Sequence, residues 1–63
     1  MSDIERILLE CRYFLTLDKS YLDIANHLNI EEKVVYDDLN YKLLKVDRIL
    51  YNQVSKKMKS IHN

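Results

Sequence analysis

Apolar residues along this chain recur at helical spacing and fall into four groups separated by short polar stretches. Ile4, Ile7, Leu8, Cys11, Phe14 and Leu15 keep the three-and-four rhythm of one helix face. They predict a first helix over residues 2–17, with Arg6, Glu10 and Arg12 off the buried stripe. Ser2 and Glu5 have the Ser-x-x-Glu spacing of a capping box, which satisfies free amides of a first turn. Ile24, Ala25 and Leu28 form a shorter second stripe, opened by Ser20 with Asp23 three residues on, and ending near residue 28. Val35, Leu39 and Leu43 recur every four residues and predict a third helix over about residues 31–44. Leu50, Val54, Met58 and Ile61 predict a fourth over about 47–60, capped by Asp47 after a break at 45–47.

The second and third stripes are separated by Asn29 and Ile30. A helix that ends in a sharp change of direction commonly places a left-handed residue after its last turn. Glycine suits that conformation best, and asparagine next, because its short side chain bonds locally. Asn29 is therefore expected to turn the chain, with Ile30 plugging the corner. Ala25 marks the place where two helices cross too closely for a larger side chain. Residues 20–43 thus read as a helix-turn-helix. That pattern fits two things: a helical hairpin packed in a small bundle, or a reader whose second helix enters the major groove.

Composition supports the helical reading. The 63 residues include no glycine and no proline, and 48% are hydrophobic, enough for one small core. Hairpins and glycine-rich phosphate loops need the missing residue types at their turns. The expected fold class is all-α, a single domain of three to four short helices around the helix-turn-helix. One cysteine, Cys11, cannot form an internal disulfide, and its place on an apolar stripe suits a buried thiol better than a nucleophile. Cys11, His27 and His62 lack zinc-ligand spacing, and no nucleophile-base-acid set is present. No metal, cofactor or catalytic activity is expected. No apolar run reaches the roughly 20 residues of a membrane span, and the acidic start resembles no export signal. The expected location is the cytoplasm, at the nucleoid.

Net charge is zero, yet it is unevenly placed. Residues 1–41 carry four Lys or Arg against nine Asp or Glu, while residues 42–63 carry six against one. A basic last third suits a polyanion, although lysines near a helix end also complement its dipole. Lys33, Tyr36 and Asn40 are spaced three and four apart and are the candidate base readers. Lysine can reach guanine, asparagine can pair with adenine, and tyrosine can pack on a base edge. Lys42, Lys45 and Arg48, with Lys56, Lys57 and Lys59, are the candidate phosphate contacts. Asp38, beside the core residue Leu39, is expected to be structural. Tyr13, Tyr21, Tyr41 and Tyr51 are expected at the edge of the core, and His27 to pack near the end of the second helix.

The run Ile24-Ala25-x-x-Leu28-Asn29-Ile30, leading into Val35-Tyr36-Asp37-Asp38-Leu39 and closed by Leu43, resembles the helix-turn-helix of the sporulation stage III protein D family of Firmicute transcription regulators. Its Val-x-x-Asp-Leu end also resembles that of repressors of the deoxyribose-operon type. One helix before the motif and a basic helix after it extend the likeness over nearly the whole chain. The resemblance implies sequence-directed binding of double-stranded DNA. Residues 31–43 would be the recognition helix, with Glu31, Glu32, Lys33, Tyr36, Asp37 and Asn40 toward the groove and the Lys56–Lys59 end on the backbone. The chain departs from the family in placing Glu31, Glu32 and Asp37 where the family carries a serine cap and basic or small polar residues. The alternative is a helix-turn-helix that has lost its reading face and meets a basic protein partner through that acidic ridge. A homodimer is also open, because an acidic front and a basic rear can pair between copies.

Overall fold

The computed structural model describes the backbone of residues 1–62 and the side chains of residues 1–60, and contains no strand among them. The first helix, α1 (Asp3–Leu15), begins where Ser2 is extended and its Oγ accepts the Glu5 amide at 3.2 Å. The Ser2 hydroxyl in turn donates to the Glu5 carboxylate at 3.1 Å, so the box closes through side chains. The helix ends short of residue 17. Asp18 takes a left-handed φ of 58°, and the Lys19 amide reaches back to the Tyr13 carbonyl at 3.1 Å.

The second helix, α2 (Tyr21–Leu28), is capped by Ser20, whose Oγ accepts the Asp23 amide at 3.1 Å. Asn29 then adopts φ 57° and ψ 47°, as its place in the sequence predicts. The Ile30 amide bonds the Ala25 carbonyl at 3.0 Å and the Asn29 amide bonds the Asn26 carbonyl at 3.3 Å. This pair of bonds is the Schellman arrangement that satisfies the last carbonyls of a helix. Ile30 packs against the core behind it.

The third rod departs from expectation in its interior. It consists of α3 (Glu32–Asp37), a π-helical turn (Asp38–Lys42) and α4 (Leu43–Val46), without a break in helical backbone. Glu31 offers no side-chain cap to it, as expected of a glutamate there. The wide turn has a cause in the spacing of the stripe. At 3.6 residues per turn, a step of four rotates a side chain by about 40° beyond a full circle. Val35, Leu39 and Leu43 would therefore drift off the contact line. Widening one turn cancels the drift, and all three are fully buried. The Leu43 amide accordingly bonds the Asp38 carbonyl, five residues back.

Asp47 is extended, with φ −159° and ψ 106°, and breaks the chain where expected. Its Oδ1 accepts the Leu50 amide at 3.1 Å and so caps the last helix, α5 (Arg48–His62). Ile61, expected to lengthen the α5 stripe, lies outside the described side chains.

The four rods form a small all-α bundle. Its core is Ile7, Cys11 and Phe14 from α1, Ile24 and Ala25 from α2, Val35, Leu39 and Leu43 from the third rod, and Val54 from α5. The helix α1 touches the other three, while α2 lies on α3 and α5 lies on the π turn and α4. Two expectations for α1 are corrected. Ile4 and Leu8, assigned inward, are 56% and 39% exposed, and Glu10, assigned outward, is fully buried. The helix is turned so that residues 7, 10, 11 and 14 make the contact line. A charge cluster accounts for that rotation. Arg6, also assigned outward, donates through Nε to Asp38 Oδ2 at 2.8 Å and through Nη2 to Oδ1 at 3.1 Å. Its Nη1 also reaches Asp3 at 2.9 Å. Asp38 is fully buried, so it is structural as expected, but it ties the third rod to α1 across 32 residues of sequence.

Candidate nucleic-acid interface

The helix-turn-helix leaves one side of the third rod uncovered. Val35 and Leu39 face inward, and Lys33 and Tyr36 face solvent, Tyr36 being 46% exposed. Tyr21, Glu32, Lys33 and Tyr36 line a shallow cleft of about 440 Å³ between α2 and the start of the rod. An aromatic chain runs outward from the core to this face. Phe14 meets Tyr21 with ring centroids 5.3 Å apart, and Tyr36 lies 6.2 Å from both Tyr21 and Tyr41. Tilted and edge-on contacts of this kind fix ring orientation and add stability beyond area burial. Burial raises the Tyr21 phenol above its usual pKa, and the neighbouring Tyr36 does the same for Tyr41.

Asn40 sits differently from the expectation that it reads a base. Its Nδ2 donates to the Tyr36 carbonyl at 2.9 Å and to the Tyr21 hydroxyl at 3.1 Å. The amide is thus committed to holding the aromatic chain. Its i−4 carbonyl lies within reach because the two residues are one helical turn apart. Tyr41, expected at a core edge, is instead 63% exposed. It lies two residues from both buried Leu39 and buried Leu43, hence on the opposite side of the rod, with its ring centroid 6.2 Å from that of Tyr36. Lys33, Tyr36 and Tyr41 are then exposed on the rod, as are Glu32, Lys42, Leu44 and Lys45.

The expected phosphate contacts divide into two sets. Lys45, Arg48, Lys56 and Lys59 are exposed, and none joins an ion pair among the described residues. Lys42 is 56% exposed and stands 3.7 Å from Asp38, close enough to feel that charge without being held. Arg48, Lys56 and Lys59 share the outer face of α5 with Asn52, at helical spacings of four, four and three. Lys57 does not belong with them. Its ammonium pairs with Asp18 at 2.6 Å, donates to the Phe14 carbonyl and lies 4.8 Å from the Phe14 ring centroid. Lys57 therefore fastens α5 to the end of α1. The left-handed turn at Asp18 sets up that partnership, and no local pattern in the sequence announces it.

Charge is segregated along the third rod. Glu31 and Glu32 are exposed at its start, while Lys42, Lys45 and Arg48 lie at its end. Thirteen residues separate Glu32 from Lys45, about 20 Å at the helical rise. Asp37, the third acid of the expected ridge, is half-buried. His27 packs edge-on against Tyr13 with centroids 5.0 Å apart, in keeping with a packing role.

Other chemistry is sparse. Cys11 is buried, and burial raises its thiol pKa, which favours the unreactive protonated form. Among the described residues, no group of three or more His, Cys, Asp or Glu is placed to hold a metal ion. No described helix is long and apolar enough to cross a membrane. Compared with family models, with curated proteins and with solved structures, the chain matches none.

Proposed function

We propose that this protein is a non-catalytic, sequence-directed DNA-binding regulator, with the third rod in the major groove. The observation that carries the reading is the uncovered side of that rod. Lys33, Tyr36 and Tyr41 stand exposed on the rod that follows a tight left-handed turn, with exposed cations at its far end. In this arrangement α2 crosses the backbone and braces α3 through Ala25 and the Asn29 turn, the geometry of helix-turn-helix docking. Lys33 supplies a donor to a base edge, and the two tyrosines pack on bases or bond phosphate oxygens. Lys42, Lys45 and Arg48 bind the backbone at the end of the groove, and Lys56 and Lys59 extend that contact. On this reading the chain is a relative of the sporulation stage III protein D regulators that its motif resembles, and it works on cytoplasmic, nucleoid DNA.

Selection of duplexes from a random pool at low salt tests the proposal. A recurring site is expected, and binding to it should weaken log-linearly with salt. Each phosphate contact contributes about 0.9 to that slope, so these five cations set a limit of roughly 4.5. Alanine at Lys45 or Arg48 should flatten the slope by about one unit each, and alanine at Lys33 should relax preference at one base position. No enriched site together with negligible low-salt binding would reject the reading.

One observation favours a second reading. Glu31 and Glu32 are both exposed where the rod would approach phosphates. That pair suits a basic protein partner, with the aromatic face as the apolar part of the contact. The same selection separates the two, because a protein-interaction module yields no duplex.

A further inference from the structure

The rotation that buries Glu10 leaves an apolar flank of α1 uncovered. Ile4 is 56% exposed and Leu8 39%, and half-buried Leu15 continues their line two turns on. This flank borders a groove of about 310 Å³ between Leu8, Arg12 and Leu15 on α1 and Leu50 and Gln53 on α5, with Cys11 at its floor. Across the groove Ile49, one turn before Gln53, is 71% exposed. Small monomeric proteins expose single apolar residues freely, whereas a continuous apolar strip on one helix commonly marks a contact surface.

We propose that this flank of α1 is the docking surface for a second copy of the chain. The two α1 helices pack antiparallel about a two-fold axis near Leu8 and Leu9. The charges beside the strip select that occupant and that direction. Glu5 and Arg12 are both exposed, seven residues apart, and so lie on the same side of the helix. Neither joins an ion pair among the described residues. With the axis between residues 8 and 9, Glu5 of one copy faces Arg12 of the other, and the symmetry repeats the pair. A parallel arrangement would instead set Glu5 against Glu5 and Arg12 against Arg12. A two-fold contact must be complementary to itself, and this strip is. Packed helices lie about 8–10 Å apart, which brings the Leu8 side chain of each copy over the groove of the other. Because α1 spans only 13 residues, the contact is at the small end of specific interfaces, and its association is sought up to high concentration.

Sedimentation over about 1 µM to about 1 mM reads this directly. The wild-type mass should move from 7.6 kDa toward twice that value as concentration rises. Leu8→Glu should remain at the monomer mass with its far-ultraviolet circular dichroism unchanged. Arg12→Glu should weaken the dimer by about tenfold, which is 1.4 kcal/mol. Glu5→Arg combined with Arg12→Glu should restore it to within about threefold of wild type, since opposite charges meet again. Both residues are exposed; Glu5→Arg also gives up the Ser2 contact of the capping box, so the swap is read with circular dichroism showing α1 intact, and Arg12→Glu alone stays informative even if Leu8→Glu unfolds the chain. The proposal is overturned by a wild-type monomer at the highest concentration. A dimer indifferent to Leu8→Glu, or a double swap that recovers nothing, overturns it equally.

Discussion

Replacing Glu10 with glutamine isolates the buried acid on which α1 rests. Glu10 has no exposed surface, and among the described residues neither of its carboxyl oxygens accepts a hydrogen bond. Burial is the main cause that pushes its pKa up to about 8, and the neighbouring Asp38 adds to it, while Arg6 and Lys42 pull the other way. Arg6 stands 3.7 Å from Glu10 but spends its best geometry on Asp38. The folded protein therefore holds a proton on Glu10 at neutral pH, and the unfolded chain releases it near 4.5. The sign follows. Between those values the native state binds one more proton, so stability is complete below pH 4.5 and is lost as pH rises through about 8. At about 1.4 kcal/mol per unit the whole span amounts to a ceiling of roughly 5 kcal/mol, of which about 2 kcal/mol or more is expected after the cluster relaxes. A chain of this length has only about 3–9 kcal/mol in total, at 0.05–0.15 per residue. Glu10→Gln keeps the shape, gives Asp38 a donor and removes the titration. In urea unfolding followed by circular dichroism, the variant should match wild type within about 1 kcal/mol at about pH 4 and exceed it by at least about 2 kcal/mol at about pH 9. Parallel pH profiles for the two proteins would refute the reasoning.

Other perturbations follow from the same contacts. Arg6→Ala strands Asp38 beside Glu10 in the core, and loss of one partner of a buried pair costs about 3–5 kcal/mol; thermal melts at neutral pH should show a largely unfolded chain. Asn29→Ala places a Cβ in the left-handed region without a local hydrogen bond and should cost about 1–2 kcal/mol, whereas Asn29→Gly should be neutral or slightly stabilising in the same melts. Lys57→Met should lower the melting temperature by releasing α5 from Asp18 and the Phe14 carbonyl. It should leave the salt slope of any DNA binding unchanged, unlike alanine at Arg48.

Much of the fold was legible because its signals are local. Ser20, Asn29 and Asp47 act within three or four residues of themselves, so their cap and turn roles could be read before any packing was known. The third rod was legible in direction and buried face, since Val35, Leu39 and Leu43 mark it plainly. Its wide turn was not read from them, although a strict spacing of four over three residues is the signal that could have found it. The α1 stripe misled because apolar character cannot tell which of two adjacent lines is buried. Arg6 and Glu10 chose the line by pairing with Asp38, a contact across 32 residues that no periodicity records. The site divided in the same way. Exposure of Lys33 and Tyr36 followed from the helical wheel, whereas the capture of Asn40 by Tyr21 and of Lys57 by Asp18 depended on elements meeting in space.

The turn at residues 38–42 works like a phase shifter between two halves of one rod. Its surplus residue lets the N-terminal half stay in step with α2 while the C-terminal half stays in step with α1 and α5. Taking out that residue would restore an unbroken α-helix and leave everything downstream close to its present orientation, whereas straightening the turn with every residue kept would swing it by about 100°. The direction in which the lysine-bearing tail leaves the molecule is thus geared to the width of one turn, and a substitution that tightened it would re-aim that tail while leaving the corner at Asn29 untouched.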